Sequence, residues 1–249
     1  MSSNVALVTG ADRGLGFAIC ASLLGRGWRV LAGQFMPDWP DLAALAAQHP
    51  ERLTTLPLDV ASTDSVGAAA EAAAGQVDRV DLLINNAGIN PTSYLQTIRE
   101  GLDYPAITHT YDVNAVGPLR VVESFLPLLD RGAVRRLCFV STEASSIARS
   151  YRTAWYPYCM SKSALNMGVS ILFNHLRPEG YTFRLYHPGW MKSYMRGVKS
   201  TVGDMEPEEA AILALAFFLG GLADEPPADP PYDEDRLVLR DWRGQEWPW

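Results

Sequence analysis

Val5-Ala6-Leu7-Val8-Thr9-Gly10-Ala11-Asp12-Arg13-Gly14-Leu15-Gly16 is the stretch on which the fold turns. An apolar run with the character of a buried strand reaches a cluster of glycines, and the amphipathic run Phe17 to Leu24 follows at once. Glycine lets a backbone turn tightly and approach a ligand closely, while the start of the next helix offers free N–H groups and the positive end of its dipole. A dinucleotide pyrophosphate is the natural ligand of such a turn. Three residues separate the first two glycines and one separates the last two, so the general one-then-two fingerprint is not matched.

Working outward, strand-like runs at Val5 to Thr9, Arg29 to Ala32, Leu53 to Leu58, Val80 to Asn85, Arg136 to Ser141, Thr182 to Tyr186 and Leu237 to Leu239 alternate with helix-like stretches. The helices are expected at Leu15 to Leu24, Pro40 to Ala47, Thr63 to Ala74, Thr108 to Leu129, Tyr158 to Leu176 and Glu206 to Leu219. Alternation of this kind predicts one α/β domain spanning 1–249, a doubly wound Rossmann-type parallel sheet of about seven strands, with helices on both faces. Ligands then belong at the carboxyl ends of the strands.

The helix at Tyr158 carries one stripe of Leu165, Val169, Leu172 and Leu176 and a second of Ala164, Gly168, Ile171 and His175. The first covers the sheet; the second packs on a partner subunit or on another helix of the same chain. Asp224 to Arg236, with four Pro and six acids, reads as an exposed lid or a solvated linker. The tail ends in a turn at Asp241-Trp242-Arg243-Gly244 and the aromatic Trp247-Pro248-Trp249.

The chain has 249 residues, 48% hydrophobic and 20% charged, enough for a substantial core. Its formal charge of −7 would repel a nucleic-acid backbone or an anionic membrane. No apolar run reaches membrane-span length, so a soluble, cytoplasmic protein is expected. Cys20, Cys138 and Cys159 are odd in number and set in apolar surroundings, which suits reduced thiols. The four His have no metal-ligand spacing, and no metal is expected.

Tyr158-Cys159-Met160-Ser161-Lys162 sets a phenol and an ammonium one helical turn apart on the same face. A phenol titrates near ~10 when unperturbed, and an adjacent cation that stabilises its anion makes it a better acid. Lys162 is expected to lower Tyr158 in this way. With ten Tyr in the chain the spacing alone is weak; the other motifs supply its context.

Those motifs, taken together, resemble the short-chain dehydrogenase/reductase family over nearly the whole chain. Thr9-Gly10 through Gly14-Leu15-Gly16 matches its Thr-Gly-x-x-x-Gly-x-Gly loop, and Asp59-Val60 its adenine-contacting pair. Asn85-Asn86-Ala87-Gly88 matches its fourth-strand motif, Asn114 its helix-borne Asn, and Tyr158 with Lys162 its Tyr-x-x-x-Lys. His187-Pro188-Gly189-Trp190-Met191-Lys192-Ser193 matches its Pro-Gly segment, with Ser193 near the nicotinamide amide. The ending Asp241 to Trp249, and the Trp after Pro188-Gly189, are similar to the single-domain carbonyl reductase branch.

The resemblance implies cofactor contacts from Gly10, Asp12, Arg13, Gly14, Leu15, Gly16, Asp59, Val60, Asn86, Ala87, Gly88, Tyr158, Lys162, Pro188, Gly189 and Ser193, and catalysis by Asn114, Thr142, Tyr158 and Lys162. The second strand ends Ala32-Gly33-Gln34-Phe35 without the acid that holds an NAD ribose, and Arg13 suits a 2′-phosphate, so NADP(H) is expected over NAD(H). Asp12 is discordant beside phosphates unless it caps the helix or pairs with Arg13. Phe139-Val140-Ser141-Thr142-Glu143-Ala144-Ser145 departs from the family's Ser-Ser step: alignment on the strand end selects Thr142 as the carbonyl-polarising hydroxyl, and counting thirteen back from Tyr158 selects Ser145.

The implied activity is reversible reduction of a ketone or aldehyde to an alcohol with NADPH. Tyr158 protonates the oxygen, Lys162 holds the ribose, and Asn114 supports a proton-relaying water. Tyr151, Trp155, Tyr156, Trp190, Met191, Tyr194 and Met195 form an aromatic substrate wall, with a lid around 190–236. A homodimer or homotetramer is implied. A same-fold epimerase or dehydratase, or a non-catalytic dinucleotide sensor, are the alternatives. Chain length disfavours the first, and the intact Tyr158, Lys162 and Asn114 the second.

Overall fold

A computed structural model describes residues 3–195, 198–223, 225–227, 229 and 231–249. Asp224 and the 196–197 part of the expected lid lie outside the described residues. Strands β1 (Val5–Val8), β2 (Arg29–Gln34), β3 (Leu53–Pro57), β4 (Leu82–Asn85), β5 (Arg136–Val140), β6 (Thr182–His187), β7 (Leu239–Asp241) and β8 (Glu246–Trp247) form one sheet in the order β3-β2-β1-β4-β5-β6-β7-β8. Every neighbouring pair through β7 is parallel. The order reverses between β1 and β4, which opens a crevice above their carboxyl ends.

Alternation along β1 makes the two faces plain: Ala6 and Val8 enter one core while Val5 and Leu7 enter the other. Both faces are covered, so β1, β4 and β5 are buried throughout. The helices are α1 (Gly14–Gly25), α2 (Pro40–Gln48), α3 (Thr63–Ala74), α4 (Tyr104–Tyr111), α5 (Gly117–Leu129), α6 (Tyr156–Leu176) and α7 (Pro207–Leu219). On α6, Leu165, Val169 and Leu176 are buried. Gly168 faces inward too: a methyl there would meet Leu119 of α5 at 3.4 Å, while Ile171 stays exposed.

Two expectations are corrected. The sheet has eight strands, because the Asp241–Gly244 turn is a tight hairpin that returns the tail antiparallel to β7. Gly244 takes φ +81°, and the Asp241 carboxylate accepts from Arg243 N, Gln245 N and Trp247 Nε1. The single helix expected from Thr108 to Leu129 starts at Tyr104 and is interrupted by a π turn at Asp112–Val116. Pro118 explains part of this: residue 118 would bond the Asn114 carbonyl in a regular α-helix, and proline has no N–H to give.

Among the described residues no helix is long and apolar enough to cross a membrane, and no cluster of His, Cys, Asp and Glu has the makings of a metal site. Cys20, Cys138 and Cys159 are all free thiols, the first two buried, and burial raises the pKa of each.

Candidate active site

The glycine turn sits at the carboxyl end of β1, directly over the crevice. Gly10 and Gly14 take φ +62° and +58°, in the region that favours glycine. A Cβ on Gly10 would stand 2.9 Å from Ala87 Cα, and one on Gly16 only 2.2 Å from the Gly10 carbonyl oxygen. Thr9 Oγ1 accepts from Asn86 N and Ala87 N at 3.0 Å, and the Asn86 amide donates to the Thr9 and Gly10 carbonyls. The ends of β1 and β4 are thereby sewn together. No side chain caps the first turn of α1 and no acid stands in it, so the N–H groups of Gly14, Leu15 and Gly16 at the crevice end of the helix have no side-chain partner.

Asp12 neither caps α1 nor pairs with Arg13. Its buried carboxylate accepts from Phe35 N at 3.1 Å and Met36 N at 2.9 Å, pinning the connection that follows β2. That removes the conflict between this acid and a bound phosphate. Asp59 accepts from Ala61 N, and Val60 is buried against Gly117.

Asn114 lies wholly buried in the π turn. Its amide exchanges bonds with the Ile89 backbone, accepting at 2.8 Å and donating at 2.9 Å, and donates again to Ser161 Oγ at 3.0 Å. The side chain is therefore spent on tying the π turn to the segment after β4 and to α6. Gly88 passes between this amide and the lysine: a Cβ there would stand 3.3 Å from Asn114 Oδ1 and 3.6 Å from Lys162 Nζ.

Helix α6 starts after Trp155, whose φ of +72° is costly for a bulky residue, and whose N–H is held by the Tyr94 carbonyl at 2.8 Å. Tyr94, Trp155 and Tyr158 then follow edge to face, at centroid separations of 5.1 and 6.3 Å. Tyr158 is half-buried, and the Thr142 hydroxyl is near enough to act on its pKa. Lys162 is 3% exposed and donates to the Val140 carbonyl at 2.8 Å.

The phenol shifts in the direction opposite to the one expected, and for reasons other than Lys162. Burial drives Tyr158 above its ordinary range and the Glu143 carboxylate adds to the rise; Thr142 and Arg152 oppose it. Burial also lowers Lys162, to about 8. The ammonium spends its bond on the end of β5, which the four-residue spacing gave no means of foreseeing.

Ser145 and Thr142 differ sharply in what they touch. Ser145 Oγ donates to the Thr142 carbonyl at 2.6 Å and accepts from Asn166 at 2.7 Å, inside a buried network completed by Ser141. Thr142 Oγ1 accepts from Ala144 N at 3.2 Å and lies near Tyr158. At the other rim, Pro188 is buried, and Gly189 at φ +82° lies under Trp242, where a Cβ would be 2.7 Å from the ring. Ser193 accepts from Ser200 N through its carbonyl.

A family model described as short chain dehydrogenase matches residues 4–202. The chain belongs to this family. The C-signal protein of Myxococcus xanthus is 37% identical over 170 residues, 68% of this chain and 93% of that one. Among solved structures, the NADPH-bound carbonyl reductase from chicken fatty liver superposes with a TM-score of 0.83 at 28% identity, covering 100% of both chains. A short-chain dehydrogenase/reductase of Burkholderia multivorans with bound NADP gives 0.81 at 27%, again over 100% of both.

A short-chain dehydrogenase needs a place for its dinucleotide phosphates, and the glycine turn fits them: its glycines let the chain close tightly on Ala87 and on itself, and the first turn of α1 has no side-chain cap and no acid. Sequence reasoning missed several residues around the site. Ser161 stands beside Lys162 in the sequence, and its helical position could have suggested the Asn114 bond. Glu143 and Arg152, paired at 2.7 Å beside Tyr158, and Trp39, far off in sequence, had no signal.

Among the described residues of the expected lid, Tyr194 reaches the glycine turn, its carbonyl accepting from Arg13 at 3.0 Å. The Lys192 and Lys199 ammoniums pair with Glu206 at 2.6 and 2.9 Å, and Lys192 N donates to the Met205 carbonyl. The described acids of 225–236 are tied to the opposite end of the sheet: Glu225 to Arg26 after α1, Glu234 to Arg184 and Arg136, and Asp235 to Arg177 after α6.

Proposed function

We propose that this short-chain dehydrogenase is an NADP(H)-dependent carbonyl reductase, taking a ketone or aldehyde to its alcohol. The observation that carries the reading is the gathering at the carboxyl end of β5 of Thr142, of Tyr158 against Trp155, and of Lys162, buried one turn along α6 and bonded to the Val140 carbonyl. When bound, the nicotinamide would supply the hydride. Gly10, Arg13, Gly14, Leu15 and Gly16 would hold its phosphates, Asp59 and Val60 the adenine, Asn86 to Gly88 and Lys162 the ribose side, and Pro188, Gly189 and Ser193 the amide. NADP(H) is favoured by Arg13, by the absence of an acid in Gln34-Phe35, and by the nucleotides bound to the chicken and Burkholderia neighbours.

The protein's own part is protonation. Tyr158, raised by burial, holds its proton at neutral pH, and the buried Lys162 one turn along the helix is the cation that would ease its release to the carbonyl oxygen. Thr142 donates the second hydrogen bond to that oxygen. Lys162, titrating at about 8, replenishes the phenol. Because the Asn114 amide is fully engaged, a relaying water would be held by the Asn114 carbonyl, for which Pro118 offers no N–H.

Trp155 and Tyr94 make an apolar shelf beside the phenol, which favours a ring-bearing or mostly apolar substrate. Free thiols suit a cytoplasmic setting. Exposed Met160, Met167 and Ile171 on α6 suit a homo-oligomer. Ketones, aldehydes and quinones screened by NADPH absorbance test the reading. Turnover of at least one, slowed about 10²- to 10⁴-fold in Tyr158→Phe at unchanged NADPH affinity, is expected. NADPH binding without turnover across the panel would instead identify a nucleotide sensor.

A further inference from the structure

Three segments that reach the crevice separately meet on one guanidinium. Arg13, from the glycine turn, lies with its central carbon 4.8 Å from the ring centre of Trp39 and 5.5 Å from that of Tyr194, and donates from Nη2 to the Tyr194 carbonyl at 3.0 Å. Trp39 belongs to the connection between β2 and α2, and Tyr194 to the segment after β6. The two rings meet edge to face at 5.4 Å. Tyr194 Cδ2 also comes within 3.5 Å of where a Cβ on Gly14 would stand.

Each partner is anchored. Trp39 Nε1 donates to Asp41 Oδ2 at 2.9 Å and its backbone N to the Met36 carbonyl at 3.0 Å. Met36 is in turn held by Asp12, the neighbour of Arg13. The two rings stand nearly perpendicular, at 78°, so together with the Tyr194 carbonyl they hold the guanidinium from different sides, and its planar fork of N–H groups is what binds a phosphate. An arginine that rotates loses rotamer entropy when it binds; one already held in place loses less.

We propose that Trp39 and Tyr194 are specificity-determining residues that hold Arg13 ready for the 2′-phosphate of an adenine dinucleotide. The preference for a phosphorylated nucleotide then depends on the segment after β6, and not on the glycine turn alone. The inference rests on the NADP(H) reading above.

Calorimetric titration with 2′,5′-ADP and with 5′-AMP tests it, since neither fragment carries a nicotinamide and turnover plays no part. The wild type is expected to prefer 2′,5′-ADP. Trp39→Ala and Tyr194→Ala should each weaken 2′,5′-ADP about tenfold, as expected from the loss of one cation–π contact, and leave 5′-AMP within about twofold. Tyr194→Phe, which keeps the ring, should retain most of the affinity and guards against a fold defect. Equal losses for both fragments, no loss, or tighter 2′,5′-ADP binding without the Tyr194 ring would overturn the clamp while leaving the NADP(H) reading intact. A wild type that does not distinguish the fragments would overturn that reading and the clamp with it.

Discussion

Two regions of this protein bury cations, and they do so on different terms. Beneath the carboxyl end of α7, Arg136 and Arg184 are 4% and 1% exposed. Arg136 donates to the Phe218 and Gly220 carbonyls at 2.9 and 3.0 Å. Arg184 donates to the Phe217 and Phe183 carbonyls and to both oxygens of Glu234, at 2.6 and 2.8 Å. Carbonyls at a helix end and a carboxylate together balance the charge. Lys162, at the other end of the sheet, is equally buried but has one carbonyl bond and, among the described residues, no carboxylate against it. Burial accordingly pulls its pKa to about 8, while Arg136, also lowered by burial and by Arg184, stays charged at about 10. A satisfied buried cation reads as structure; an unbalanced one keeps its protonation adjustable, which is what acid–base chemistry uses.

The contrast breaks most readily at Lys162. Lys162→Met should lower turnover by at least about 100-fold, while its effect on stability should have the opposite sign. Between the folded value of about 8 and the ordinary 10.5, the unfolded chain holds the extra proton, so rising pH favours the folded wild type across that window. Below pH 8 the variant should be the more stable, by roughly 2 to 3 kcal/mol, and the gap should close by about pH 10.5. Paired urea unfolding curves at several pH values check this; a gap independent of pH would mean that Lys162 titrates in the folded protein as it does in the unfolded chain.

Arg184→Met should behave in the opposite manner. Removing one partner leaves carbonyls unpaired and Glu234 without its ion pair, at a cost of about 3 kcal/mol in urea unfolding, with the pH profile of turnover unmoved. Undiminished stability would show that the guanidinium only fills space there. The finest resolution comes from the two hydroxyls. Thr142→Ala should slow turnover about 10- to 100-fold with little change in unfolding. Ser145→Ala should cost about 1 to 2 kcal/mol of stability and little rate, because its bonds are all internal. The reverse pattern would exchange their roles.

Much of this was legible beforehand for a simple reason: strands buried on both faces must be apolar throughout, and glycines at a phosphate turn are demanded by the backbone itself. Both signals are local. Thr63–Ala74 and the glycine turn therefore emerged where the residue pattern put them. Less legible was the π turn, since a helix with Pro118 reads as a continuous apolar period until one asks which carbonyl loses its donor.

The order of residues alone determined the alternating architecture, the cluster of functional groups at one edge of the sheet, and Tyr158 one turn from Lys162 on a helix face. Tertiary structure alone decided what each group faces. It turned Asp12 to the Phe35 and Met36 amides, gave Lys162 the Val140 carbonyl, drew Ser145 into the Asn166 network, and set Trp39 and Tyr194 against Arg13. Periodicity and turn chemistry act between neighbours in the chain. Hydrogen-bond partners and the local dielectric that sets a pKa come from distant segments, 181 positions apart for Arg13 and Tyr194, and exist only once those segments are packed.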